Sequence, residues 1–165
     1  MPDIAWSDCG SIDLADTALT GQWLKLADLV ADATLLRIVA DGAWTPLPPW
    51  TTECGPDGMP GLRMDASQLM LADVPLGALI GKIGGGSVGL TGWAAPVATG
   101  TTAAIGLDGK PFAIGPFCLL QIPRLVFGPL FVAVNSTARP VPITKLRVTA
   151  SIALVPAAAP PPAKS

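Results

Sequence analysis

Proline and glycine recur so densely along this chain that a long helix has almost nowhere to form. Each makes up 18 of the 165 residues. Proline removes a backbone donor and clashes with the preceding helical turn, and glycine costs about 1 kcal/mol in a helix interior. The same residues punctuate an all-β fold of short strands and many turns. The length fits one domain, large enough to build a core without disulfide staples.

Between these breakers the apolar stretches are short. Residues 35–40 are rich in branched side chains and read as a strand. Residues 76–83 and 130–134 read as buried strands, and 69–71, 112–114 and 117–122 as shorter ones. The clearest pattern lies in 145–154. There Leu146, Val148, Ala150, Ile152 and Leu154 alternate with Lys145, Arg147, Thr149 and Ser151. Strand side chains alternate with period two, so this segment is expected to have one buried and one wet face, in antiparallel pairing. Residues 11–16 suit an edge strand or an arm. Residues 24–34 admit a strand with a loop, or a short amphipathic helix, and the first is preferred. Asp41-Gly42 signals a turn. Residues 44–62 form a long Pro/Gly loop, of the kind that often carries function. Residues 84–109 read as an extended loop containing Trp93. The expected organisation is an N-terminal arm or edge strand over 1–19, a sandwich over 20–155 and an extended Pro/Ala tail over 156–165.

Half the residues are apolar and 13% are charged, against a typical charged share of about 25%. Either a partner or further copies cover apolar surface, or Ala, Gly and Pro simply inflate the apolar count. The net charge of −2 gives no electrostatic case for nucleic acid or an anionic membrane. Charge is unevenly spread: residues 1–73 carry a net −8 and residues 74–165 a net +6. In a sandwich the two halves interleave, so internal neutralisation is preferred over contact between copies. The N-terminus is acidic and has no apolar leader stretch, so cytoplasmic synthesis without a signal peptide is expected. Residues 111–135 are the most apolar stretch, but four prolines, Gln121 and Arg124 interrupt it. It is expected to form strands and turns, not a transmembrane segment. The three cysteines Cys9, Cys54 and Cys118 cannot all pair within one chain and lack Cys-x-x-Cys spacing, so reduced, buried thiols are expected.

Gly84 to Gly89 satisfies Gly-x-Gly-x-x-Gly, but a dinucleotide site needs a helix to start there, and the following Leu-Thr-Gly-Trp-Ala-Ala-Pro is no helix. The absence of histidine removes Ser-His-Asp and Cys-His catalysis and all histidine metal sites. Glu53 and Asp57 are close in sequence; such a pair does acid–base work or binds a hard cation, or is simply solvated. Trp44 and Trp50 flank the Pro-rich loop. Exposed aromatics stack on sugar faces or anchor protein partners; Trp44 is preferred as core, and Trp50 is open. Asn135 and Ser136 follow the strand over 130–134, where they either face a ligand or hold the turn through their own backbone, the preferred reading.

The order of 36–44, Gly55-Pro-Asp-Gly58, Gly77-Ala-Leu-Ile-Gly-Lys-Ile-Gly84, Pro111–Gly115 and Gly128-Pro-Leu-Phe-Val-Ala-Val-Asn135 resembles the PA-I galactophilic lectin family and its wider set of galactose-binding-like domains. It spans roughly residues 20–155. The resemblance implies an all-β, antiparallel jelly-roll-like β-sandwich, usually oligomeric, that binds galactosides through a bridging calcium. Asn135 matches the family's Val-Asn-Asp. Ser136 stands where the family has its ligand Asp, and the later Asn pair is missing. Calcium takes six to eight oxygens, so no metal or cofactor is expected. The resulting expectation is a non-catalytic structural or interaction subunit, docked with other subunits or with its own copies. The alternative is a galactoside-binding module without calcium, with Trp44, Trp50, Glu53, Asp57, Asn135 and Ser136 as candidate ligand-binding residues.

Overall fold

The computed structural model describes residues 4–20, 23–31, 34–84, 109–124, 126–138 and 140–154. Eight strands follow one another: β1 (Ser7–Leu19), β2 (Leu24–Val30), β3 (Thr34–Trp44), β4 (Leu79–Ile83), β5 (Phe112–Ala113), β6 (Phe117–Gln121), β7 (Gly128–Val134) and β8 (Val141–Leu154). They form two four-stranded sheets, ordered β1-β8-β3-β6 in sheet A and β2-β7-β4-β5 in sheet B. Every pairing is antiparallel. The sheets enclose one apolar core, to which Leu36 and Ile38 of β3, Leu146 and Val148 of β8, and Leu130 and Val132 of β7 contribute. The chain is therefore an all-β sandwich, as its sequence implies.

The two central strands of sheet B, β4 and β7, are buried on both faces. Leu79 and Ile83 of β4 face sheet A, while Ile80 joins Phe131 and Ala133 of β7 in a second, smaller core with Trp23 and Met70. That outer core is covered by the segment 69–74, which follows a 3-10 turn at Ala66–Gln68. A strand was expected over 69–71; instead this segment lies outside both ladders and serves as a third layer.

Other expectations are refined. Of the arm or edge strand expected over 1–19, Ser7–Leu19 is an edge strand, pairing along β8 from Ser7↔Ile152 to Leu19↔Val141. The strand reading of 24–34 holds for β2. No turn forms at Asp41-Gly42: β3 continues to Trp44, and Gly42 serves close packing, because a Cβ there would sit 2.4 Å from the Lys145 carbonyl oxygen. The strand expected from residue 76 begins at Leu79, after a turn in which Gly77 has a φ of +79°. In β8 the alternation holds through Ala150 and then fails, with Ser151 and Ala153 buried and Leu154 exposed. The reason for Ser151 is local. Arg37 donates to its Oγ, and the Arg37 guanidinium lies 4.5 Å from the centroid of the Trp6 ring, so a stacked pair covers this end of the sheet. The Gly-x-Gly-x-x-Gly stretch, most of the 84–109 loop with Trp93, and the tail over 156–165 lie outside the described residues. No helix among the described residues is long and apolar enough to cross a membrane.

The charge halves interleave as expected. Basic β8 lies between β1 and β3, and Arg147 pairs with Asp13 at 3.0 Å while Lys145 pairs with Asp41. The Lys145 ammonium holds the Asp41 carboxyl below its ordinary range, chiefly by hydrogen bonding. These pairs are exposed and contribute little stability singly.

β1 crosses β2 at Gly10, where the ladder to β8 slips by one residue; a Cβ on Gly10 would lie 1.8 Å from the Leu26 carbonyl oxygen. Backbone cannot yield as a side-chain tip does, so Gly10→Ala should force the two sheets apart at this edge. We expect a loss of about 1–3 kcal/mol, the usual cost of overpacking, read as a lower urea midpoint with an unchanged denaturant slope.

Candidate functional site

The expected site residues gather unevenly at one end of the sandwich, where β3 ends, β4 begins and β7 turns into β8. Trp44 closes β3 and is fully buried. Its backbone exchanges two hydrogen bonds with Cys54, at 2.9 and 3.0 Å, which pins the returning loop across the sandwich end. Its indole Nε1 donates to the Gly77 carbonyl at 2.8 Å. A buried indole N–H requires such an acceptor, so Trp44 is core, as preferred from the sequence.

Gly77 is the centre of this knot. Its N–H donates to the Asn135 carbonyl at 3.0 Å, and a Cβ on it would lie 2.5 Å from the Cys54 Sγ. With a φ of +79°, the position suits glycine on conformational grounds as well.

Asn135 and Ser136 are buried within the same knot. The Asn135 Oδ1 accepts from the Met70 and Leu71 amides at 2.9 and 2.8 Å. Its Nδ2 donates to the carbonyls of Leu71, Val74 and Pro75 at 3.0, 2.8 and 3.1 Å. An amide side chain has two donors and one acceptor oxygen, so this one is saturated by the chain's own backbone. Ser136 donates through Oγ to the Pro46 carbonyl and accepts from the Ala138 amide at 3.1 Å. Ser136 holds the turn locally, the preferred of its two readings, whereas Asn135 ties down a distant segment instead, and both side chains are buried against the chain's own backbone.

The remaining three are at the surface. Trp50 is 51% exposed, its amide donating to the Leu47 carbonyl at 3.0 Å. Glu53 is exposed and accepts from the Thr144 hydroxyl of β8. Asp57 is exposed beside Gly115, in the turn before β6. The two carboxylates thus attend different elements. Among the described residues no three His, Cys, Asp or Glu side chains gather into a metal-binding group.

Two features escaped the sequence reading. Lys82, in the middle of β4, is buried, its ammonium 4.6 Å from the Trp23 ring centroid and 5.4 Å from that of Phe131. Burial pushes its pKa down, and cation–π attraction favours the charged form. A lysine inside an apolar run was the available signal. The second feature is β6. Phe117 and Leu119 are 56% and 55% exposed, and Val39, the register partner of Phe117 on β3, is 44% exposed. The run Phe-Cys-Leu-Leu-Gln gives no sequence cue to this, because both of its faces are apolar.

Comparison with protein-family models and with curated proteins finds no match to this chain.

Two outcomes follow from the knot. Asn135→Ala strands buried donors and acceptors of the 70–75 segment, which should cost about 3 kcal/mol or more in denaturant unfolding, with faster hydrogen exchange at Met70 and Leu71. Burial, and secondarily the Glu53 charge, pushes the Cys54 thiol up to about 11. In the unfolded chain it ionises near its ordinary value of about 9. The unfolded state therefore holds fewer protons than the folded state between these values, and stability should fall as pH rises from about 9 to about 11. Cys54→Ala should flatten that slope in urea titrations across the alkaline range.

Proposed function

We propose that this chain is a non-catalytic structural or interaction subunit, a lectin-like β-sandwich whose role is to dock in an oligomer or a larger assembly. The observation that carries this reading is the apolar strip formed by Phe117, Leu119 and Val39, all exposed and adjacent in register along one border of sheet A. Single exposed apolar residues are ordinary, whereas contiguous ones mark contact surfaces. The use of Asn135 and Ser136 as internal ties supports the same reading, since it removes the polar groups that resemblance to the PA-I lectins would direct at a sugar.

A galactoside-binding module without calcium is the second reading, favoured by the exposed Trp50 on the Pro-rich loop. A ring so placed has a face free to stack on a sugar.

Native mass spectrometry of the particle recovered from its source tests the first reading. The expected mass exceeds that of the single 16.8 kDa chain; a monomer under all conditions overturns it. A glycan array, run with and without calcium on the native chain and on Trp50→Ala, tests the second. Sugar retention lost in the variant supports it, and a blank array ends it.

A further inference from the structure

Each sheet has two borders, and their sequences differ in a way that bears on what they contact. An edge strand exposes unpaired backbone groups, and proteins block such edges with charge, bulges or shortness. β1 is blocked by exposed Asp8, Asp13 and Asp16 and by the slip at Gly10. β2 carries exposed Lys25 and Asp28 and two irregularities in its pairing, and β5 has two residues. β6 has none of these devices: its five residues Phe117–Gln121 are uncharged and pair regularly with β3.

The hydrogen-bond phase shows which groups face outward. Ala40 donates to the Pro116 carbonyl and Ile122 to the Thr34 carbonyl. In an antiparallel ladder the bonded pairs alternate, so Cys118 and Leu120 bond to β3. The N–H and C=O groups of Phe117, Leu119 and Gln121 point away from it. Among the described residues no other strand lies on that side.

We propose that β6 pairs with β6 of a second copy of this chain, antiparallel about a two-fold axis at Leu119, joining two copies of sheet A into one continuous sheet. This rests on the docking reading above and names its partner. The strand is its own complement. Leu119 meets Leu119 of the copy, Phe117 meets Gln121, and each pair exchanges both backbone bonds. Having no charge, β6 meets no like charge in its copy, unlike the acidic β1. On the inner face Cys118 and Leu120, half-buried at the open border of the main core, lie opposite each other's copies and extend that core. Pro116 and Pro123 bracket the strand, so the ladder has the length of a second β6. Arg37, next to Leu119, is kept about 14 Å from its copy by three strand spacings, beyond a Debye length of about 8 Å. A two-fold contact consumes both β6 edges and stops at a dimer.

The test is Leu119→Pro. Among the described residues the Leu119 N–H has no partner, and proline is tolerated on an edge strand where that group faces out. The variant should keep its circular dichroism and the urea midpoint that the native chain shows when diluted to monomer, while losing the dimer. Leu119→Lys provides a second variant that keeps the N–H and adds like charge at the axis. For the full native chain, we expect a dimer by light scattering and sedimentation across the micromolar range. We also expect exchange protection of the Phe117, Leu119 and Gln121 amides that rises with concentration, and monomers for both variants. A native dimer that persists in both variants, or shows no such protection, overturns the β6 pairing and leaves the docking reading standing. So does a chain that is monomeric alone yet part of a heavier particle in its source. A monomer in both settings overturns the two together.

Discussion

One amide side chain holds the layers of this protein together. Asn135 sits just past the end of β7 and bonds five backbone groups of a segment sixty or more residues earlier in the chain. That segment has little regular structure of its own, so its buried N–H and C=O groups need partners from elsewhere. Asn135 supplies most of them, with help from a bond between the Thr137 amide and the Gln68 carbonyl. The outer face of sheet B depends on this arrangement, because the second core of Trp23, Ile80 and Phe131 is closed by the residues that Asn135 ties down. The backbone of Asn135 extends the hold to Gly77 and, through Gly77, to the Trp44 indole.

The border strands express a different constraint. Sheet A sets basic β8 between acidic β1 and β3, whose Asp41 pairs with Lys145, so the lopsided charge of the sequence becomes local pairing in the fold. The arrangement leaves charge on the β1 border and none on β6. The sheet is thus polarised across its width, with a solvated, self-repelling side and an apolar side. On β3, Arg37 lies against the Trp6 ring and beside Leu119 of the apolar strip, with no ion pair among the described residues.

The sequence disclosed strands well where burial has a simple period. β3 and residues 145–150 of β8 are legible because one face is wet and the other faces a single core. β7 and β4 are legible as continuous apolar runs, since both of their faces are covered. The covering segment was misread as a strand over residues 69–71, because apolar residues look the same whether they pair in a ladder or lie across one. Its hold comes from a distant side chain that carries no local signal. For Asn135 and Ser136 the polar chemistry is legible in the sequence and its target is not. Asn135 and Ser136 are polar groups aimed at oxygens and nitrogens, but those atoms belong to the chain. Trp44 was recognised as core. The exposure of Phe117 and Leu119 was hidden, because an edge strand reveals its outer face only once its neighbours are known.

The order of strands in sheet A has a consequence for how the protein is made. β8 is the last described strand to leave the ribosome, yet it lies between β1, among the first, and β3. Until residues 141–154 emerge, β1 has no neighbour in its sheet and β3 lacks its longest pairing. The nascent chain must therefore wait with acidic β1 unpaired, where its aspartates keep it soluble and discourage premature pairing. Folding that closes its longest loop last is slow and cooperative. Sheet A thus closes only once residues 141–154 are available to β1 and β3, rather than growing strand by strand from β1.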